Sequence, residues 1–80
     1  MIDVKEAVQK AKEFVKFLEP TVETKGITLE EVELSDDGRF WFVTLNVPVE
    51  FMGYISGKYK RFTVNSVTGD VTAMKMREVG

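Results

Sequence analysis

Two reactive side chains are missing from this 80-residue sequence, which contains no cysteine and no histidine. Without cysteine the chain can form no disulfide and offers no thiolate ligand to a metal ion. Without histidine it lacks the commonest metal ligand and the side chain most often used as a general base. These absences argue against an enzyme and predict that the chain binds no cofactor and no metal.

Long apolar runs and a strong excess of one charge are missing as well. No segment approaches the roughly 18–20 apolar residues of a membrane span. The net charge of −2 gives no strong attraction to nucleic acid or to an anionic membrane. The first residues do not form a secretory signal, so a chain that starts here is expected in the cytoplasm. A piece cut from a longer protein carries no such expectation.

The remaining composition is that of one small globular domain spanning residues 1–80. Hydrophobic residues make up 44% and charged residues 30% of the chain, with only 6 Gly and 2 Pro. These values exclude collagen-like and disordered classes. A domain of this size buries only about 60% of its unfolded surface, so nearly every large apolar side chain is needed in the core. An aromatic residue that has no place inside is therefore informative.

Residues 4–18 have the spacing of an amphipathic helix. Its apolar stripe consists of Val4, Ala7, Val8, Ala11, Phe14, Val15 and Leu18. Asp3 and Glu6 have the spacing of a capping box at its start, and Pro20 ends the helix at or before Glu19. Phe17 lies outside the stripe. We expect it to pack under the following loop; the alternative is an exposed contact residue.

The rest of the chain predicts four strands. The apolar phase changes between Leu29 and Val32, which indicates either a bulge or the start of a strand near residues 30–31. Asp36-Asp37-Gly38 predicts a tight turn, and a second strand follows from 39 to about 47, where Pro48 stops or bends it.

The segment 48–57 is predicted to be an unusually apolar loop, with Gly53 and Gly57 as breakers. A third strand at 58–65, a turn at 66–69 and a fourth strand to about residue 77 complete the chain. The prediction is an α+β fold: one N-terminal helix on one face of a four-stranded antiparallel meander.

A family resemblance lies in the segment from Tyr59 to Val71. Its residues Val64, Asn65, Thr68, Gly69 and Val71 fill the slots of the closing hairpin of PepSY domains, with Asn65 where that family usually has Asp. The strand Trp41-Phe42-Val43 and the preceding helix also resemble that module. The resemblance implies a PepSY/cystatin-like fold and a small non-catalytic module with an inhibitory or binding role. A second likeness, to gas vesicle protein O, lies in the tryptophan strand, the long connection and the tyrosine-led strand.

The strongest functional candidate is an apolar surface. One helix covers one face of a sheet, and Trp41, Val43, Leu45 and Val47 form the better core set. Phe40 and Phe42 then point to the uncovered face. The predicted partner-binding residues are Phe40, Phe42, Phe51, Met52, Tyr54 and Ile55. Such a surface fits a protein partner or a homodimer, unless the loop 48–57 folds back and covers the two Phe.

Charged residues offer weaker alternatives. The predicted basic rim consists of Lys58, Lys60, Arg61, Lys75 and Arg77, at residues 58–61 and 75–77. Strand-edge protection explains these residues; an acidic partner or nucleic acid is the alternative use. Glu31 and Glu33 share one strand face and are expected to be solvated. No serine, carboxylate or lysine has a neighbour that would make it catalytic.

Overall fold

The fold is described from a computed structural model, which covers the backbone of residues 1–20, 26–51 and 54–77 and the side chains of residues 1–20, 26–48 and 59–75. One helix precedes four strands. The elements are α1 (Val4–Leu18), β1 (Thr28–Leu34), β2 (Phe40–Phe51), β3 (Tyr54–Asn65) and β4 (Val71–Arg77). The strands pair antiparallel in the order β1-β2-β3-β4, so the predicted meander is confirmed.

Helix α1 begins and ends where the sequence predicts. The Oδ1 atom of Asp3 accepts a hydrogen bond of 2.8 Å from the backbone N–H of Glu6, which satisfies one of the free amide groups of the first turn. Glu19 is the C-cap, and its N–H donates to the carbonyl of Val15. Pro20 follows directly and cannot continue the helix.

The buried stripe of α1 is narrower than the sequence suggests. Ala7, Ala11 and Val15 are buried, and the ring of Phe14 meets the ring of Phe62 edge-on at 6.1 Å. The buried core consists of Ala7, Ala11, Val15, Ile27, Val43, Leu45, Val47, Phe62 and Val64. The two alanines permit a close approach of α1 to the sheet.

The packing expected for Phe17 is wrong. Its side chain is 77% exposed. At 100° per residue, Phe17 points about 120° away from the centre of the buried stripe, so it cannot reach the sheet. Leu18, the last residue of α1, is also 46% exposed.

The hairpin of β1 and β2 contains a bulge in β1 and a tight turn before β2, both of which the sequence indicates. The pairing register shifts between Leu29 and Glu31, which places the bulge at residue 30. Gly38 has a φ of +73°, a value that L-residues adopt only with strain. Ser35 closes the turn, because its N–H donates to the carbonyl of Phe40 at 2.8 Å.

The loop predicted at residues 48–57 is wrong, because the described part of this segment is paired strand. Pairing of β2 with β3 continues from Pro48↔Gly57 to Phe51↔Tyr54, and residues 52 and 53 lie outside the described residues. Pro48 does not stop β2. The last β1–β2 pair is Thr28↔Asn46, so Pro48 lies past β1, at an edge position where proline is tolerated.

The outer part of this hairpin extends past both neighbouring strands. The last pair of β3 with β4 is Tyr59↔Arg77. Residues 48–51 and 54–57 therefore pair only with each other among the described strands, and we call them the hairpin arm. At about 3.3 Å per residue, its tip lies roughly 30 Å from Phe42 along β2. The arm therefore does not fold back over Phe40 and Phe42.

The opposite end of the sheet is closed by Ser66. This residue is 1% exposed; its N–H donates to the carbonyl of Arg39 at 2.8 Å, and its Oγ donates to the carbonyl of Gly38 at 2.6 Å. The N–H of Ile2 donates to the carbonyl of Ser66 at 2.7 Å. The carbonyl of Ile2 accepts from Nε1 of Trp41 at 3.2 Å. Ser66 thus connects both turns with the segment before α1.

Candidate partner-binding surface on the open face of the sheet

Helix α1 packs on one face of the sheet, and no described helix or strand covers the other. Side chains that pair directly across strands share a face, so the register defines the members of this second face. We call it the open face. Its residues with described side chains are Thr28, Glu31, Glu33, Phe40, Phe42, Thr44, Asn46, Tyr59, Arg61, Thr63, Asn65, Ala73 and Lys75.

The centre of the open face is a ring stacked under a guanidinium. The Cζ atom of Arg61 lies 4.3 Å from the centroid of the Phe42 ring, within the range of a cation–π interaction. Arg61 is opposite Thr44, while Phe42 is opposite Thr63, so the contact is a diagonal one between neighbouring strands.

An ion pair extends this contact to β1. The Nη2 atom of Arg61 lies 3.5 Å from Oε1 of Glu33, which is opposite Phe42 in β1. Both side chains are partly exposed, at 43% for Arg61 and 58% for Glu33, so the pair adds little to stability. Its effect is to hold the guanidinium over the ring.

Thr44 lies beside this contact and is only 3% exposed. Phe40, Phe42 and Asn46, on the same strand, are half-buried. The accessible surface at the centre of the open face therefore consists of the rings and the long side chains around Thr44.

Charge is separated across the open face. Glu31 and Glu33 lie on β1 at one edge, whereas Arg61 and Lys75 lie on β3 and β4. One row of register partners runs from Glu31 through Thr44 and Arg61 to Lys75. This row has an acidic end and a basic end.

The predicted partner-binding residues do not all share this face. Phe40 and Phe42 lie on it together. In the hairpin arm, Ile55 is opposite Glu50, in phase with Phe42, whereas the pair Phe51↔Tyr54 is in the phase of Val43 on the helix side. Met52 lies outside the described residues.

The predicted basic rim is also divided between the two faces. Arg61 and Lys75 are direct register partners on the open face, and Arg77 is opposite Tyr59 in the same phase. Lys58 is opposite Val47 and Lys60 is opposite Leu45, in the helix-side phase. The five residues therefore do not line up as one strip.

Sequence reasoning left out Glu33, although it contacts Arg61 in the centre of the surface. The change of apolar phase near residues 30–31 is the sequence feature that could have placed Glu33 on the open face. An extra residue at that point moves Glu31 and Glu33 into the phase of Phe42 and Thr44, because each residue added to a strand reverses the facing of those after it.

Comparison with family models, with curated proteins and with solved structures found no match for this chain. The described helix is too short and too polar to cross a bilayer. Among the described side chains, no group of three or more potential ligands is placed to hold a metal ion. The functional argument therefore depends on the geometry of the open face.

Proposed function

We propose that the chain is a small non-enzymatic binding module that contacts a protein partner through the open face. The contact of Arg61 with Phe42, at 4.3 Å in the centre of that face, carries the proposal. Aromatic residues and arginine are enriched in protein interfaces and in the few positions that dominate their binding energy. A domain this small has few aromatic residues to place outside its core.

Recognition on this surface combines apolar burial with a charged periphery. Phe40 and Phe42 supply the apolar area under the central Arg61, and Glu33 on β1 and Lys75 on β4 supply charges of opposite sign at the edges. Such a periphery affects orientation and association rate more than affinity. We place the module in the cytoplasm, which agrees with the absence of cysteine.

Site-specific photo-crosslinking tests the proposal in living cells. A benzophenone side chain replaces Phe40 on the open face, and in a matched control it replaces Phe17, which is 77% exposed on α1. The probe at position 40 is expected to give a discrete crosslinked product that the probe at position 17 does not give.

A second variant checks that the product reports recognition. Phe42→Glu, added to the chain with the probe at position 40, removes the ring under Arg61 and is expected to abolish the product while circular dichroism shows an intact fold. If position 40 gives no product, or the same products as position 17, the open face is not a binding surface.

A further inference from the structure

The charges of the open face make it complementary to a rotated copy of itself. Among the residues whose side chains are described, it carries two acidic residues on β1 and two basic residues on β3 and β4, and these four charges sum to zero. In the row Glu31–Thr44–Arg61–Lys75, a half-turn about an axis along the strands exchanges the two ends. Glu31 of one copy then lies over Lys75 of the other.

A different two-fold axis gives a worse result. If the axis runs across the strands, β1 of one copy lies over β1 of the other, and the glutamates of both copies face each other. Juxtaposed like charges disfavour association. Only the axis along the strands pairs opposite charges at both edges, and a two-fold axis closes the assembly at two copies.

We infer that the partner of the open face is a second copy of this chain, packed sheet on sheet about an axis parallel to the strands. The inference rests on the proposed function of that face and names its partner. In this arrangement Phe42 of one copy faces Thr63 of the other copy. Arg61 of that other copy is two residues from Thr63 on the same face of β3. Stacked sheets lie about 10 Å apart with strand directions within about 30°.

The size of the face predicts a dimer that dissociates readily. Four strands at about 4.8 Å spacing and seven residues at about 3.3 Å give a footprint of roughly 440 Å². Stable complexes bury about 800 Å² of accessible surface per partner. The dimer is therefore expected to form in a concentration-dependent manner.

Charge reversal in sedimentation experiments tests the arrangement. Glu31→Lys makes both ends of the row basic, and Lys75→Glu makes both ends acidic. Each variant alone is expected to dimerise at least about tenfold more weakly than the unaltered chain, because like charges cost several kcal/mol at an interface. An equimolar mixture of the two variants, and a chain that carries both changes, are expected to regain the dimer.

A matched control and a crosslink define the orientation. Lys5→Glu reverses an exposed charge on α1 and is expected to leave dimerisation unchanged. Since the chain has no cysteine, Glu31→Cys and Lys75→Cys give unique thiols. A bismaleimide that spans about 10 Å, the spacing of stacked sheets, should join these two variants in a mixture but should not join two copies of Glu31→Cys.

The outcomes separate this inference from the proposed function. A chain that stays monomeric at every concentration, or a mixture of variants that fails to recover the dimer, overturns the self-association. If the benzophenone at position 40 then captures a different protein, the open face remains a binding surface. If it captures nothing, both proposals fail.

Discussion

Ser66 connects three segments of the chain at the closed end of the sheet. Its hydroxyl donates to the carbonyl of Gly38 at 2.6 Å from a buried position. Ser66→Ala leaves that carbonyl without this donor, and we expect the unfolding free energy to fall by about 1–2 kcal/mol. Urea unfolding followed by tryptophan fluorescence measures the change.

The neighbouring Val67 provides the control for this prediction. It belongs to the same turn but is 74% exposed. Val67→Ala should therefore change the unfolding free energy by less than about 0.5 kcal/mol. Equal losses in the two variants would contradict a specific role for the Ser66 hydroxyl.

Asp37 makes the first hairpin turn sensitive to acid. The backbone N–H of Arg39 and the hydroxyl of Ser35 donate to its carboxylate and lower its pKa from the usual 3.8. Because the folded-state pKa is the lower one, the carboxylate stabilises the fold above pH 3.8 and loses this effect as the pH falls through the lowered pKa.

Asp37→Asn removes this dependence. We expect the plot of unfolding free energy against pH to become flatter below about pH 4 in that variant. Asp36→Asn removes a charge from the same turn without changing these hydrogen bonds and is the charge-matched control for Asp37→Asn. The measurement is urea unfolding at a series of pH values. An unchanged slope in Asp37→Asn would contradict the assignment.

The contact of Arg61 with Phe42 is a feature that the sequence does not reveal. Alternation along the strand makes Phe42 a candidate, and the basic residues on two neighbouring strands make Arg61 one. Their contact depends on the register of β2 with β3, in which Phe51 is opposite Tyr54. A loop at residues 48–57 would leave that register undefined, so the sequence does not predict it.

At the scale of the elements, strong local signals made α1 and the turns predictable. The cap at Asp3 and the stop at Pro20 fix the ends of α1, and the positive φ of Gly38 and Gly69 marks two turns. The hairpin arm was missed because Pro48 and Gly57 resemble strand breakers. In the structure these two residues are opposite each other, past the end of β1.

The glycines of the two turns provide a matched test of backbone conformation. Gly69 has a φ of +79°, and a Cβ there would lie 3.3 Å from Cε of Lys10. Gly38 has a φ of +73°, and a Cβ there would meet nothing within 4 Å beyond the adjoining residues. Because L-residues are strained at such angles, each substitution by alanine should cost about 1–2 kcal/mol.

The difference between these variants isolates the contact of α1 with the second turn. Lys10 is long and can move aside, so Gly69→Ala should be only slightly worse than Gly38→Ala. Thermal unfolding of both proteins measures the difference. If Gly38→Ala is as stable as the unaltered chain, the positive φ is not the source of the cost.

At the scale of the whole molecule, the small core leaves little reserve of stability. Phe62 is fully buried and contacts Phe14 of α1. Phe62→Ala should cost about 3–5 kcal/mol, whereas a domain of this length has only about 4–12 kcal/mol in total. We expect this variant to be largely unfolded at 37 °C when circular dichroism is measured.

Phe17→Ala is the matched control, because it deletes the same ring from a position that is 77% exposed. Its unfolding free energy should stay within about 0.5 kcal/mol of the unaltered chain. A large loss in this variant would show that the exposed ring packs against other parts of the protein.

The sequential order of the strands has a consequence for synthesis on the ribosome. Helix α1 is made before the four strands, but its buried face packs against a core that includes Phe62 and Val64 of β3. Ile2 likewise hydrogen-bonds to Ser66, after the end of β3. A nascent chain that has not yet reached residue 66 therefore offers no complete surface to its helix, and the core of the domain forms only after β3 has been made.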